Sequence, residues 1–365
     1  MNNCEFMPYR CFASPPVFKA KEFMKTSLFV KGILLASISL CIHSAPLLSQ
    51  EVPAFGPETN NSPLATEHGL GMAQFQNGDY GTAILLSYVG GGNVVSTAIS
   101  INGQAFSDQG AVHVGGNVYL VNCDAGNPET CTPAVAVYGP NNTAYIAFAE
   151  SNTHGLYVLA ANVIPGNANY SFTLAYSDTS VQLTSAPTMI VSPNGQNLLI
   201  RYGTSNNASA KNTTYVTEFN GTSWSTYPTA AFAPTQSAMA ISGGTLYAID
   251  KQNNSSNGVF VSQLDNNGNQ IANTPYQIPG LIVKHGFSAA TFKGSVVVCV
   301  QADSPDNWFY TFSSSNPSSS TSWLNHQYSM ETGPAPQITL FNQGLTEAHQ
   351  ANDSSLAIYS AFATQ

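Results

Sequence analysis

Carboxylates near the ends of predicted strands are the first candidates for chemistry in this chain. Glu150 ends the apolar run TAYIAFAE, and Glu218 lies in YVTEF. Two carboxylates can hydrolyse a glycosidic bond, because one donates a proton while the other attacks or activates water. Both residues also fit solvated strand ends, so they are runner-up catalytic candidates only. The other acids near strand ends are Asp79, Asp250, Asp303, Asp306 and Glu347.

Aromatic residues late in several repeats give a stronger indication, of binding. Sugar sites favour an aromatic ring against the apolar sugar face, with amides, hydroxyls and carboxylates around it. The alternative is that these rings cover the outer hydrophobic layer of the fold. The predicted ligand-binding residues are Trp224, Asn220, Tyr227, Trp308, Asp306 and Trp323.

The charge balance limits the partners. Charged residues are 8% of the chain, and the segment after residue 45 has five cations and seventeen acids, a net charge of −12. Nucleic acids and anionic membrane surfaces need clustered Lys and Arg, so neither is an expected partner. Arg201, the one arginine of that segment, ends the run NLLIR and is expected to pair with a loop carboxylate.

The cysteines predict one disulfide and no metal site. Cys123 and Cys131 flank the turn-rich segment DAGNPET, and in an oxidising compartment they are expected to close a short loop. Two thiols at this spacing lack a nearby third ligand, and the histidines are scattered. Cys299, inside SVVVCVQ, is expected to be buried and inert. The sequence predicts no cofactor.

The N-terminal 45 residues predict export. After Met24, Lys25 and Lys31 are followed by the apolar run Gly32–Ile42, which is too short to span a bilayer. Either Met24 is the true start, or residues 1–23 are an extension. We predict a leader with a signal peptide at 1–45, a linker or closing strand at 46–67, a folded domain at 68–365, and a secreted or periplasmic location.

A repeat of about 50 residues organises the domain. Its clearest copies begin at Pro187, Ser237, Ser288 and Pro336, at spacings of 50, 51 and 48 residues. Short strands at this period predict an all-β propeller of about six four-stranded blades. The extra stretch AVHVGGNVYLVN is an elaborated blade edge or a degenerate seventh blade. The last repeat lacks a fourth strand, so the N-terminal segment is expected to close the ring.

The sequence of the repeats, especially FNGTSWS at 219–225, resembles that of secreted bacterial propellers of the sialidase-like and lectin-like kinds. Gly221 and Trp224 match the second half of the Asp-box turn, but Phe219 stands where the Asp belongs. The resemblance to sialidases implies three arginines that grip the substrate carboxylate. A single Arg201 therefore disfavours sialidase activity.

Together these observations predict an exported, non-catalytic binding module that recognises glycans, or a cell-surface or protein partner, at a propeller rim. The first alternative is a glycoside hydrolase, since propeller hydrolases such as arabinanases use carboxylates in the central funnel. The second alternative is a protein-interaction scaffold without a small-molecule site.

Overall fold

Antiparallel strands make up most of the described chain. A computed structural model describes residues 52–364 apart from 67, 78–80, 124–130, 163–170, 206–211, 231–233, 253–256, 272–274, 284, 302–307, 320–321, 334 and 353–354. The predicted leader, residues 1–45, lies outside these residues. Within them, Gly91–Asn93 is the one helical turn, and no helix is long and apolar enough to cross a bilayer.

Six sheets follow one another along the chain, each with its strands in sequence order. Blade 1 contains Leu70–Asn77, Gly81–Gly90, Val94–Ser100 and Ser107–Ala111. Blade 2 contains Ala134–Tyr138, Thr143–Ala149, Leu156–Asn162 and Thr173–Asp178. Blade 3 contains Thr188–Val191, Leu198–Ser205, Asn212–Phe219 and Trp224–Ala230.

The remaining blades repeat the pattern, except for the last. Blade 4 contains Pro234–Ser242, Thr245–Gln252, Gly258–Leu264 and Tyr276–Ile282. Blade 5 contains Phe287–Phe292, Ser295–Gln301, Trp308–Ser314 and Leu324–Glu331. Blade 6 contains Gln337–Phe341, Gly344–Gln350 and Ala357–Thr364, and its outer side is completed by Ala54–Phe55 and Thr59–Ala65. The predicted six-bladed β-propeller is thus confirmed.

The hydrophobic core lies between blades rather than within them. Six apolar clusters occur, one at each interface of neighbouring blades. The second strand of a blade is covered by a neighbour on both of its faces, so Ser295–Gln301 (SVVVCVQ) is buried at every position. This double burial explains why such strands read as continuous apolar runs. The fourth strand of blade 4, Tyr276–Ile282, is by contrast exposed at five of its seven positions.

The N-terminal segment closes the ring as predicted. Ala54 pairs with Thr364, and Thr59 pairs with Ser360 in the last strand of the chain. The Asn61 side chain donates a hydrogen bond to Ser360 Oγ at 2.9 Å, across 299 residues of sequence. The closing segment therefore leaves no unpaired edge on the third strand of blade 6.

The extra stretch after blade 1 is an insertion and not a seventh blade. It forms a two-stranded hairpin of His113–Val114 and Asn117–Val118, with Gly115 and Gly116 at positive φ in the turn. Cys123 and Cys131 then form a disulfide, which confirms the predicted pairing.

Two ends of the ring can be distinguished by their connections. We call the end where first strands turn into second strands, and third into fourth, the turn face. We call the end with the connections from second to third strands, and from blade to blade, the loop face. A residue at the start of a third strand and one at its end therefore lie on opposite faces.

Candidate functional site

The central channel is narrow, and the part of its wall that the structure describes carries no charged side chain. The first strands of all six blades, or the residues just before them, line a cavity of about 90 Å³. A methyl group added at Gly71 would lie 2.2 Å from the Pro133 carbonyl oxygen, so neighbouring first strands are closely packed. None of the lining residues is Asp, Glu, Lys, Arg or His. This volume is well below the roughly 300–1,000 Å³ typical of small-molecule sites.

Glu150 lies at the loop-face end of blade 2 and is 6% exposed. Its carboxylate accepts hydrogen bonds from the backbone N–H of Asn152 and Thr153 at 3.0 and 2.9 Å. The Asn152 amide and the Thr153 hydroxyl also donate to it, at 2.7 and 2.9 Å. Burial alone would raise the pKa of Glu150, but these four donors outweigh it and hold the pKa below its ordinary value. The residue therefore stabilises its own loop as an anion.

Glu218 is half-buried near the turn-face end of blade 3, and its Oε2 accepts a hydrogen bond from the Tyr227 hydroxyl at 2.8 Å. The same hydroxyl oxygen lies against the Asn267 backbone carbonyl of blade 4. Burial, and then the Glu218 carboxylate, raise the pKa of Tyr227. Because Glu150 lies at the loop face, the two runner-up catalytic residues stand at opposite ends of their blades.

Arg201 and Asp250 form a buried ion pair between blades 3 and 4. Arg201 Nη1 and Nη2 donate to the two carboxylate oxygens at 2.5 and 2.8 Å, and Nη1 also donates to Ser237 Oγ. Arg201 is 3% exposed and Asp250 2% exposed. The expectation of a loop carboxylate was wrong, because the partner lies within the second strand of blade 4.

Three of the predicted ligand-binding residues lie close together in sequence on blade 3. Asn220 Oδ1 accepts hydrogen bonds from the backbone N–H of Thr222 and Ser223, which fixes the turn before Trp224. The Trp224 indole is half-buried and stacks with Phe219 and Tyr176, at centroid distances of 4.6 and 5.1 Å.

Tyr227, three residues beyond Trp224, turns to the opposite side of the sheet and packs in the cluster shared with blade 4.

The remaining predicted residues belong to blade 5 and are divided between its ends. Trp323 precedes the fourth strand at the turn face and packs against the cluster shared with blade 4. Its buried indole N–H has no hydrogen-bond partner among the described residues. Trp308 begins the third strand and so lies at the loop face. Asp306, like Asp79 and Asp303, falls outside the described residues. The five described residues of the predicted set therefore lie on two blades, with Trp308 at the loop face and Trp323 at the turn face.

A concave surface larger than the channel cavity lies on the rim. A groove of about 620 Å³ is lined by the fourth strand of blade 1, by the inserted hairpin and by the two residues before the fourth strand of blade 2. We call it the rim groove. Its side chains include the half-buried amide of Gln109, the exposed imidazole of His113, the hydroxyl of Ser171 and the buried ring of Phe172. The signal in the sequence was AVHVGGNVYLVN, the stretch that did not fit the repeat.

Comparisons with known proteins extend only to the fold. No protein-family model matches the chain, and no curated protein matches its sequence.

Among solved structures, an α-L-arabinanase of Penicillium chrysogenum in complex with arabinobiose is similar, with a TM-score of 0.61 and 11% identity over 85% of this chain and 98% of that one. The fucose-recognising lectin of Aleuria aurantia, described as a six-bladed β-propeller, gives 0.55 and 12% over 80% and 90%. The Trypanosoma rangeli sialidase gives 0.52 and 12% over 81% and 55%. At this identity the likenesses show that the chain has the β-propeller fold found in sialidase-like and lectin-like proteins.

Proposed function

We propose that this protein is an exported, non-catalytic binding module that recognises glycans at the rim of its propeller. The observation that carries the proposal is the contrast between two concave surfaces. The channel measures about 90 Å³ and has no ionisable side chain among its described lining residues, whereas the rim groove measures about 620 Å³ and offers polar donors and acceptors. Only the groove has the size of a ligand site.

The chemistry of the groove suits a neutral, hydroxyl-rich ligand. An amide, an imidazole and a hydroxyl can each donate to or accept from a sugar hydroxyl. Backbone groups of Gly110, Gly115 and Gly116 are also exposed along its wall because these residues have no side chain. The net charge of −12 after residue 45 disfavours polyanionic partners, so neutral oligosaccharides are the expected class.

A glycan array tests the proposal directly. The protein is expected to prefer discrete sugars, and Gln109→Ala and His113→Ala are expected to weaken binding by about tenfold, the equivalent of about 1.4 kcal/mol. Gln263→Ala is a matched control, because it removes an amide on blade 4, far along the chain from the groove. An unaltered thermal unfolding curve shows that each variant is folded.

The aromatic residues on blades 3 and 5 are a second location for the same function. If Tyr227→Phe or Trp308→Ala abolishes sugar binding while the groove variants bind normally, the ligand lies at those residues and the groove assignment is wrong. Absence of binding to any sugar by folded protein would contradict glycan recognition and favour a protein-interaction scaffold.

Glycoside hydrolysis is the second candidate, and the likeness to the arabinanase fold favours it. Its test is hydrolysis of aryl-glycosides that is lost in Glu150→Gln or Glu218→Gln. The lowered pKa of Glu150 is unfavourable for a general acid, which must be protonated at the working pH.

Export is tested separately, by fractionating the native host and determining the N-terminus of the processed protein.

A further inference from the structure

Asparagine followed by glycine is a reactive pair in a protein chain. The glycine nitrogen can attack the side-chain carbonyl carbon of the preceding asparagine, because the two groups are held close together and glycine has no side chain that hinders the approach. Six such pairs occur in this chain, and their asparagines are Asn77, Asn102, Asn194, Asn220, Asn257 and Asn267. Gly78 lies outside the described residues, so five pairs can be compared.

The side-chain carbonyl of Asn220 is activated for attack. Its Oδ1 accepts hydrogen bonds from the backbone N–H of Thr222 and Ser223 at 3.0 and 2.9 Å, and from their hydroxyls at 2.8 and 3.3 Å. Attack on the carbonyl carbon moves negative charge onto this oxygen, and hydrogen-bond donors already aimed at it stabilise that charge. Asn220 is exposed at the turn face, so the departing nitrogen can leave to solvent.

The attacking nitrogen distinguishes Gly221 from the glycines of two other pairs. Gly195 N donates a hydrogen bond to Ser192 O at 2.8 Å, and Gly268 N donates one to Asp265 O at 3.0 Å. Each of these nitrogens must give up its hydrogen bond before it can attack. Gly221 is exposed, and its nitrogen forms no hydrogen bond with any residue that the structure describes.

The glycines of the remaining two pairs are shielded from solvent. Gly103 is buried, and a methyl group added to it would lie 2.6 Å from the Phe341 ring of blade 6. Gly258 is buried in the third strand of blade 4, opposite Ile282. Because the attacking nitrogen must lose its proton to solvent, burial disfavours the reaction at both glycines.

We propose that Asn220 is the preferred site at which this protein modifies itself, by cyclisation onto Gly221 and loss of the side-chain amide. Gly221 N forms a bond to Asn220 Cγ, the Cγ–Nδ2 bond breaks, and the proton of Gly221 N leaves with Nδ2 as ammonia. Water then opens the succinimide ring at either carbonyl, which gives aspartate or isoaspartate. The reaction needs no enzyme and no reactant other than water.

The modification changes both the charge and the backbone of the turn before Trp224. Either product adds a negative charge to a chain whose net charge is already −9, and isoaspartate also adds one methylene group to the main chain. The hydrogen bonds that Asn220 Oδ1 accepts from the two following residues cannot keep their geometry in the isoaspartate form. Because Trp224 stacks on Phe219, at the other end of this turn, we expect its fluorescence to change as the reaction proceeds.

Peptide mapping by mass spectrometry of the folded full-length chain tests the proposal. After incubation in heavy-oxygen water at neutral pH, the peptide containing Asn220 is expected to gain one heavy oxygen at least about tenfold faster than the peptide containing Asn194. Asn194 is the matched control, because its Oδ1 also accepts hydrogen bonds, from Gln196 N and Ser192 Oγ, at 3.0 and 2.7 Å. In denaturant the two rates are expected to become similar, because the contacts of both turns are lost.

A variant of Thr222 separates activation by the turn from simple exposure. Thr222→Val removes the hydroxyl that lies 2.8 Å from Asn220 Oδ1 but keeps the backbone N–H. We expect it to slow the reaction at Asn220 about threefold, through the loss of one donor, while the rate at Asn194 stays unchanged.

Several results would overturn the proposal. Equal rates at Asn220 and Asn194 in the folded chain would show no preference, and a difference that persists in denaturant would assign the preference to local sequence alone. A rate at Asn220 that Thr222→Val leaves unchanged or raises would show that the donors do not activate the carbonyl. A glycan on Asn220 Nδ2 in the native protein would also overturn it, because Asn220–Thr222 matches the acceptor sequence Asn-x-Thr.

Discussion

The interface of blades 3 and 4 and the closing blade 6 both bury ionisable groups in an apolar layer, but they use different cations. At the interface, Arg201 pairs with Asp250. In blade 6, His349 lies between Glu347, at 2.7 Å from Nδ1, and Glu58, at 3.2 Å from Nε2. A guanidinium stays charged across the accessible pH range, whereas an imidazole titrates. We expect only the cluster in blade 6 to make stability depend on pH near neutrality.

The environment of His349 strengthens this contrast. Burial would lower the pKa of His349, but the Glu347 carboxylate and a hydrogen bond to Glu58 outweigh it and raise the pKa to about 10. Burial raises the pKa of Glu347, and its ion pair with His349 offsets part of that effect. The Tyr359 ring stacks on the imidazole at a centroid distance of 6.0 Å, and Glu58 and Cys299 both interact electrostatically with Glu347. The ion pair of Glu347 and His349 therefore stabilises the fold most when His349 is protonated.

The largest expected effect is at the blade 3–4 interface. Arg201→Met leaves Asp250 buried without its ion-pair partner, and we expect a loss of about 4 kcal/mol in the free energy of unfolding. Denaturant unfolding followed by tryptophan fluorescence measures it. The double variant Arg201→Met, Asp250→Leu removes both charges and is expected to recover most of the loss. A double variant as unstable as the single one would show that packing, not charge, is responsible.

The second prediction concerns blade 6. His349→Gln is expected to cost about 2 kcal/mol at neutral pH, because it removes charge-assisted hydrogen bonds to two carboxylates. Since the pKa of His349 in the fold is above that of an unfolded chain, its contribution is complete below about pH 6.5 and is lost as pH rises towards about 10. Wild-type stability should therefore approach that of the variant over this window. A constant difference between pH 6.5 and 10 would contradict the raised pKa.

The smallest effect is expected at Glu58, whose side chain is 31% exposed. Glu58→Gln weakens an ion pair that solvent already screens, so we expect a loss of about 0.5 kcal/mol. Thermal unfolding beside the wild type and Glu51→Gln, an acid of the same segment, measures the difference. A loss as large as that of His349→Gln would mean that Glu58, rather than Glu347, is the principal partner.

The fold could be predicted because the sequence of each blade contains the turn and strand signals that define it. Turn glycines with positive φ, such as Gly221 and Gly244, separate apolar runs of strand length at a constant period. The missing fourth strand of the last repeat also predicted the closing role of the N-terminal segment. These signals are local, so they can be recognised in the sequence without knowing how neighbouring blades contact each other.

The contacts that join neighbouring blades could not be predicted to the same degree. Arg201 meets Asp250 across 49 residues, and Tyr227 meets Asn267 across 40. Such pairs depend on how the sheets are rotated against each other, which no repeat pattern records. Trp308 and Trp323 belong to one blade, but Trp308 begins its third strand and Trp323 precedes its fourth, so they lie on opposite faces of the ring.

The pairing of the closing segment with the last strand has a consequence for how the molecule is made. Residues 54–65 are synthesised before the strands of all six blades, whereas their partners at 357–364 are synthesised after blades 1–5. Until the last strand is made, the closing segment has no pairing partner, and the incomplete ring of blades exposes an unpaired edge at each end. Closure of the ring is therefore a late step of high contact order, because it joins two segments that are far apart in the sequence.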